Sequence, residues 1–330
     1  MSNIGVGIYG LNGHQIHNRL IGHPLARLVA TAACDFDRCH RSLAAKREIR
    51  EDPDIRAYAD LDGLLEDRRV DVVSLCSPRR IDQAEDAMRC LRAGKHVYAE
   101  KPAAMEESEL DRVLATAKAC GCEFREMAGT VFAQPYYAAR ELVMSGALGR
   151  IVQVYAQKSY RSRIGDRPQD EAVDGGLILQ CGIHAVRMIE HVTGMRTRDV
   201  EAFETTAGNP EPNGGLRFAA SMALRLEGGT IASVAANYLC PTTFHHGQNE
   251  HLRVFGANGF LEAIDGGTRT NVYLNDAEPA ALDVSVAPTT HLDQFLAHLR
   301  GEGGFELSLE DELHPLRVVL RANEKAKGKK

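Results

Sequence analysis

The sequence predicts an α/β protein: a doubly wound parallel sheet at the N-terminus, then a second α/β domain built on a large, mostly antiparallel, open sheet. Three observations carry that reading. Strand-like and helix-like segments alternate from Asn3 to Met127. Inside that stretch, Val70-Asp71-Val72-Val73-Ser74-Leu75-Cys76 is a near-continuous apolar run, the pattern of a central strand covered on both faces. After Met127 strands dominate, interrupted by one helix. A chain of 330 residues holds two cores comfortably, so domains at 1–127 and 128–330 are expected.

The composition is that of an ordinary globular protein, 44% hydrophobic and 25% charged. A net charge of −6 gives no electrostatic reason to expect nucleic acid, and the only basic run is the terminal Lys325-Ala326-Lys327-Gly328-Lys329-Lys330. No apolar run reaches the length of a membrane span, and no charged segment followed by an apolar core opens the chain, so a cytoplasmic protein is expected. Eight cysteines without paired Cys-x-x-Cys knuckles read as reduced core thiols. Cys120-Gly121-Cys122 has poor spacing for a metal and suits the end of a helix, and no metal site is expected.

Asn3 to Tyr9 reads as the first strand, and Gly10-Leu11-Asn12-Gly13 as a tight turn into a helix from His14 to about Gly22. A literal G-x-G-x-x-G at Gly5, Gly7 and Gly10 lies inside the strand, where it cannot cradle a phosphate. In the working register Gly10 makes the turn, Asn12 takes the position of closest backbone approach to a pyrophosphate, and Gln15 takes the helix-packing position. Gly10, Asn12, Gly13 and His14 are therefore the candidate phosphate-binding residues. Leu28 to Cys34 is the second strand and ends at Asp35. A carboxylate there accepts ribose hydroxyls and repels a 2′-phosphate, which favours NAD over NADP; as a helix cap the same aspartate would carry no such meaning. Asp37 adds to the repulsion, and Arg38 would reverse it.

A helix near Arg38 to Glu48, a short strand near Ile55 to Tyr58 and a helix from Asp60 to Glu66 precede the apolar run, which ends at Ser77-Pro78. The helix from Arg80 to Ala93 carries Ala84, Ala87, Met88 and Leu91 on one face and stops at Gly94. His96 to Ala99 is the next strand. It ends at Glu100-Lys101-Pro102, which fixes a lysine at the carboxyl end of a parallel strand, the edge where ligands bind in such sheets. Glu106 to Ala119 is helical.

In the second half, Pro135 to Met144 reads as helix and Ser145-Gly146-Ala147-Leu148-Gly149 as a turn. Strands follow at Ile151–Ser159, Asp199–Glu204, Arg217–Leu226, Thr230–Ala236 and Leu252–Phe255. The interrupting helix, Leu177 to Val192, follows Gly175-Gly176, and helices near His291–Leu299 and Leu309–Ala322 close the chain. Lys158, Arg161, Arg163 and Arg167 crowd one segment and either recognise an anion or form a solvated basic face. Tyr160, His245 and His246 are further candidates for a substrate pocket.

Taken in order, Gly10-Leu11-Asn12-Gly13, Asp35, Ser77-Pro78, Ala93-Gly94-Lys95-His96-Val97 with Glu100-Lys101-Pro102, Gly182-Ile183-His184 and Val254-Phe255-Gly256-x-x-Gly259 resemble the Gfo/Idh/MocA oxidoreductases over nearly the whole chain. The resemblance implies a Rossmann domain followed by an α/β domain whose large sheet forms oligomer contacts, here a homodimer or homotetramer. It also implies NAD(P)-dependent oxidation or reduction of a sugar, cyclitol or related polyol. The family's pattern places Lys101 at the reacting hydroxyl, with His184 working beside it. Ser77, Pro78, Glu100 and Lys101 itself fall with the cofactor residues.

The chemistry agrees with that implication. Drawing a hydride from a carbinol carbon requires a base for the hydroxyl proton, and an amine serves once burial beside a cation lowers its basicity. Gln180 stands where the family usually has aspartate, four residues before His184 and so expected one helical turn away on the same face. It can orient a hydroxyl but cannot accept a proton. Arg187 replaces another frequent aspartate, and Asp82 stands where a histidine is frequent. Three functions are thus in view: a sugar or cyclitol dehydrogenase, glycoside elimination or hydrolysis with recycled NAD, and a redox-silent sensor or partner-binding protein.

Overall fold

The computed structural model describes residues 3–34, 52, 54–161, 167–245, 249–265 and 267–328. The chain divides into two compact units. The first comprises Met1–Met127, Ala172–Asp174 and Leu292–Glu306; the second comprises Ala128–Glu171, Gly175–His291 and Leu307–Lys330.

Unit 1 is a six-stranded parallel sheet in the order β3-β2-β1-β4-β5-β6, with β1 at Ile4–Tyr9, β2 at Ala26–Ala32, β3 at Arg56–Tyr58, β4 at Val72–Leu75, β5 at His96–Ala99 and β6 at Phe124–Glu126. The order reverses between β1 and β4, so the crevice at their carboxyl ends is the place such a sheet offers a ligand. Its helices are α1 (His17–Leu20), α2 (Leu61–Glu66), α3 (Gln83–Arg92) and α4 (Glu107–Cys120). Asp60 caps α2 by accepting the Gly63 amide at 3.0 Å, and α3 buries Ala84, Ala87, Met88 and Leu91 against the sheet. Two expectations need correction. The helix expected from His14 to Gly22 is only the single turn His17–Leu20, because Gln15 turns its amide inward instead. That amide donates to the carbonyls of Tyr9 (3.2 Å), Gly10 (2.9 Å) and Ser74 (3.0 Å), satisfying strand ends that a helix would leave open. The strand β6 went unread. The helix expected over Arg38–Glu48 and Asp35 itself lie outside the described residues.

Unit 2 carries an eight-stranded sheet in the order β14-β13-β12-β11-β7-β10-β9-β8. Its strands are β7 (Ile151–Arg161), β8 (Thr197–Thr205), β9 (Ala219–Leu226), β10 (Ile231–Cys240), β11 (Glu250–Gly256), β12 (Gly259–Ile264), β13 (Arg269–Leu274) and β14 (Ala280–Ala281). Only the β7–β10 pair is parallel. One face is covered and the other open, as the alternation in β10 requires: Ala232, Val234, Ala236 and Tyr238 are buried while Ile231 and Leu239 are exposed. The strands after Phe255 were not foreseen, since their short runs hold glycine, threonine and asparagine among the apolar positions.

The helices of this unit are α5 (Tyr136–Met144), α6 (Ile183–Thr193) and, after α7 (His291–Leu299) in the chain, α8 (Leu309–Ala326), which Ser308 caps on the Asp311 amide at 3.1 Å. A turn of π-helix, Ile178–Gly182, leads into α6, with the Ile183 amide reaching back five residues to the Ile178 carbonyl. Contrary to the reading that no run reaches the length of a membrane span, the stretch Glu171–Thr193 is long and apolar enough by composition, and most of it is buried in the fold. The contiguous partition at residue 127 also needs correction. From Leu292 onward α7 belongs to unit 1, where Leu292, Phe295 and Leu296 share a core with Val6, Ile8, Val72 and Tyr98.

One feature of unit 2 has a pH signature. Glu204 on β8 points its side chain to the covered face; both carboxylate oxygens are buried near the Ile178 backbone, and the Arg217 guanidinium stands 4.0 Å away. Burial, reinforced by Glu171 and only partly offset by Lys327 and Arg217, pushes this carboxyl up to about 7. The folded state therefore keeps a proton that the unfolded chain releases near pH 4.5, so the penalty is absent at pH 4, grows as pH rises and is complete above pH 7. Glu204→Gln is expected to leave the urea midpoint unchanged at pH 4 and to stabilise the protein by roughly 2–3 kcal/mol at pH 8.

Candidate active site

In unit 1 the sheet brings three loops to one edge. The ladder continues past the strands through Gly10 N–H to Ala32 O (2.9 Å), Cys76 N–H to Tyr9 O (2.9 Å) and Glu100 N–H to Leu75 O (2.8 Å), so Gly10, Ser77 and Lys101 all follow directly on paired backbone. Gly10 has φ +69°, and a Cβ on it would lie 2.1 Å from the Cys76 carbonyl oxygen. Gly13 has φ +130°, and a Cβ there would meet Arg80 and Glu100 at 2.6 Å. Left-handed backbone thus falls on Gly10 and Gly13 and not on Asn12, where the sequence reading allowed it. The Asn12 side chain is instead a tie, donating to the carbonyls of Val173 (2.8 Å) and Pro78 (3.2 Å).

Glu100 is the hub of this edge. Its buried carboxylate accepts the His14 amide at 3.1 Å and faces His14 Nδ1 at 3.2 Å and Lys101 Nζ at 3.7 Å. Burial disfavours its charge, yet His14, Lys101 and Arg80 outweigh that and hold the carboxyl down at about 2. Lys101 is itself buried, 4% exposed, so its amine is desolvated beside the Glu100 carboxylate. Of the other expected cofactor residues, Ser77 gives its hydroxyl to Asp86 (2.8 Å), while Pro78 is exposed.

Sequence reasoning missed Gln83 and Arg80. Gln83 Nε2 donates to the carbonyls of Glu100 and, at 2.8 Å, Pro102, the two residues flanking Lys101. Its Oε1 accepts the Ser77 amide (3.2 Å) and Arg80 Nη1 (2.6 Å), and Arg80 Nη2 donates to the Asn12 carbonyl. Asp82, one residue before Gln83, is half exposed and lies 3.7 Å from Arg79. The signal was present: Gln83 is a polar residue on the apolar face of α3, in phase with Ala87 and Cys90. The same pair bears on a dinucleotide. Gly10 and Gly13 leave the turn's surface bare, and the buried Arg80 guanidinium, whose Nε has no hydrogen-bond partner, sets positive charge behind it. These residues fit a pyrophosphate on the turn formed by Gly10, Asn12, Gly13 and His14.

In unit 2, His184 sits in the first turn of α6, and its Nε2 lies 2.7 Å from the Tyr160 hydroxyl, the rings edge to face. Gln180 is buried within the π-turn, four residues before His184. The reading of a solvated basic face is also corrected. Lys158 is fully buried and ion-paired with Glu250, which accepts the Tyr136 hydroxyl at 2.8 Å. Arg167 stacks over Tyr238, 4.1 Å from the ring centroid. Arg161 is exposed and donates to the Phe244 carbonyl, and His245 is exposed. Arg163 and His246 lie outside the described residues. Among the described residues no group of three or more His, Cys, Asp or Glu side chains is arranged to hold a metal.

A parallel sheet in this order, with a glycine turn after β1 and a lysine at the carboxyl edge, joined in one chain to an open antiparallel sheet, is the architecture of the dinucleotide-binding oxidoreductases. Two family models match in tandem: the oxidoreductase family, NAD-binding Rossmann fold, over residues 4–128, and the GFO/IDH/MocA C-terminal domain over residues 136–262. The chain belongs to the GFO/IDH/MocA family. It is 33% identical over 159 residues to a dTDP-3,4-didehydro-2,6-dideoxy-alpha-D-glucose 3-reductase of Streptomyces violaceoruber, covering 48% of this chain and 46% of that protein. Over 240 residues it is 27% identical to a myo-inositol 2-dehydrogenase of Thermotoga maritima, covering 70% and 68%. The match therefore spans about half the length of the first relative and about two thirds of the second. The fold is shared with an aldose-aldose oxidoreductase from Caulobacter crescentus at a TM-score of 0.82 and 21% identity, covering 100% and 99% of the two chains.

Proposed function

We propose that this protein is an NAD(P)-dependent dehydrogenase, with NAD favoured, that moves a hydride to or from a hydroxyl-bearing carbon of a sugar, cyclitol or sugar-derived substrate. The observation that carries the reading is the buried Lys101 amine beside Glu100, on the sheet edge that also presents the Gly10–Gly13 turn. A bound nicotinamide would supply the hydride acceptor. Lys101 holds or takes the hydroxyl proton, and the neighbouring Glu100 carboxylate fixes the amine's position. His184 assists that proton transfer, and Gln180 orients a hydroxyl. The names of the relatives, a sugar-nucleotide reductase and an inositol dehydrogenase, support the substrate class.

The test has two arms. Denaturing the purified protein and weighing the released nucleotide is expected to give NAD, and a panel of sugars, uronates and inositols is expected to contain one that reduces it. An empty protein that binds neither NAD nor NADP by calorimetry would end the proposal. Aglycone release without NADH accumulation would instead mark chemistry that recycles the cofactor.

We place the protein in the cytoplasm, where the seven described cysteines remain thiols; cell fractionation reads this. The open face of the unit 2 sheet, with Val152, Phe203, Ile231 and Leu239 exposed, is proposed to meet a second copy of the chain as a homodimer or homotetramer. Light scattering is expected to give two or four times 36.1 kDa, and Phe203→Glu to lower that mass.

A further inference from the structure

Tyr160 and Lys158 are two residues apart on β7 and so share one face of the sheet. Lys158 Nζ lies over the Tyr160 ring, 4.9 Å from its centroid, and Arg167 Cζ lies 5.7 Å from the same centroid. The Tyr160 ring also stacks on Tyr238, whose hydroxyl accepts from Arg167 Nη1 at 3.1 Å. Lys158 is held in place by Glu250, itself held by Tyr136. Two cations against one phenol ring draw electron density from it. They stabilise a phenolate more than a phenol, which makes the hydroxyl a stronger donor and a poorer acceptor. The 2.7 Å contact between that hydroxyl and His184 Nε2 therefore has a direction.

We propose that Tyr160, polarised by Lys158 and Arg167, is a positioning residue that donates its hydroxyl proton to His184 Nε2 and so fixes the imidazole as the Nδ1–H tautomer. Any proton His184 exchanges with a substrate then passes through Nδ1. When that proton passes to a substrate alkoxide, the Tyr160 hydroxyl proton moves to Nε2, so the imidazole stays neutral as the Nε2–H tautomer and the negative charge ends on the phenol oxygen, against Lys158 and Arg167. Glu250 balances Lys158, so the cation stays in place without a net charge on the pair. This assignment rests on His184 taking part in proton transfer, but the tautomer itself does not.

The experiment reads the tautomer directly. In the full-length protein without added ligand, ¹⁵N shifts of the His184 ring, assigned by comparison with His184→Asn, are expected to show Nδ1 protonated and Nε2 accepting. Tyr160→Phe removes only the hydroxyl; it is expected to shift the Nδ1–H to Nε2–H ratio by roughly five- to tenfold towards Nε2–H. Lys158→Met is expected to shift the ratio in the same direction by a smaller factor, and a Lys158→Met, Glu250→Gln double variant repeats that reading should the single variant not fold. A His184 found as Nε2–H in the wild-type protein, or a ratio that Tyr160→Phe leaves unmoved, overturns the proposal. If the tautomer behaves as expected while Lys101→Met retains full turnover, the dehydrogenase reading falls and the Tyr160 assignment stands.

Discussion

Lys101→Met should lower turnover by roughly 10²–10⁴-fold, the contribution a positioned general acid or base makes to a proton transfer. Methionine keeps the length and apolar body of the lysine stem, so the buried slot, 4% exposed in the wild type, stays filled. Glu100 loses one of the groups that favour its charge but keeps His14, at 3.2 Å, and Arg80, so the carboxyl stays low and the His14 amide keeps its acceptor. Nucleotide affinity is accordingly expected to change far less than turnover, since the proposed pyrophosphate residues Gly10, Asn12, Gly13 and His14 are not substituted. Steady-state rates on the alcohol found in the panel, with NAD titrated by calorimetry, separate the two quantities. Unchanged turnover would remove Lys101 from the chemistry.

Phe295→Ala is expected to cost about 3–5 kcal/mol, the range for deleting a fully buried aromatic ring. Phe295 is completely buried and stacks on Tyr98 of β5 with ring centroids 5.3 Å apart, and its neighbours Leu292 and Leu296 enter the same core. The informative part is where the damage lands. Because this helix belongs to the nucleotide-binding unit, hydrogen exchange of β1, β4 and β5 should accelerate, whereas β7–β11 should keep their protection. Faster exchange confined to the second unit would contradict the assignment.

Much of this was legible in the sequence because burial writes itself into short apolar runs. Val70 to Cys76 and His96 to Ala99 could be read as buried parallel strands, and their ends located Ser77 and Lys101 without any further information. What escaped notice depends on contacts distant in the chain. Nothing in the periodicity of Leu292–Glu306 says which of two cores it joins, since any apolar helical face suits either. Gln15 delayed the start of a helix by bonding strand carbonyls that only the folded sheet brings within reach. Lys158 read as solvated because its partner Glu250 is 92 residues further on. Gln83, by contrast, was readable and was passed over for the adjacent aspartate.

The wide turn at Ile178–Gly182 carries one residue more than a regular helix would use to cover the same rise. A relative lacking that residue would keep every side chain type yet rotate everything upstream of His184 by about 100° about the helix axis. Gln180 would then exchange its place with a neighbour such as Leu179 or Cys181. If Gln180 meets the substrate as proposed, the length of this turn sets which side chain does so, and a one-residue deletion here is expected to change the substrate profile read from the panel while leaving the strands of the second unit in place.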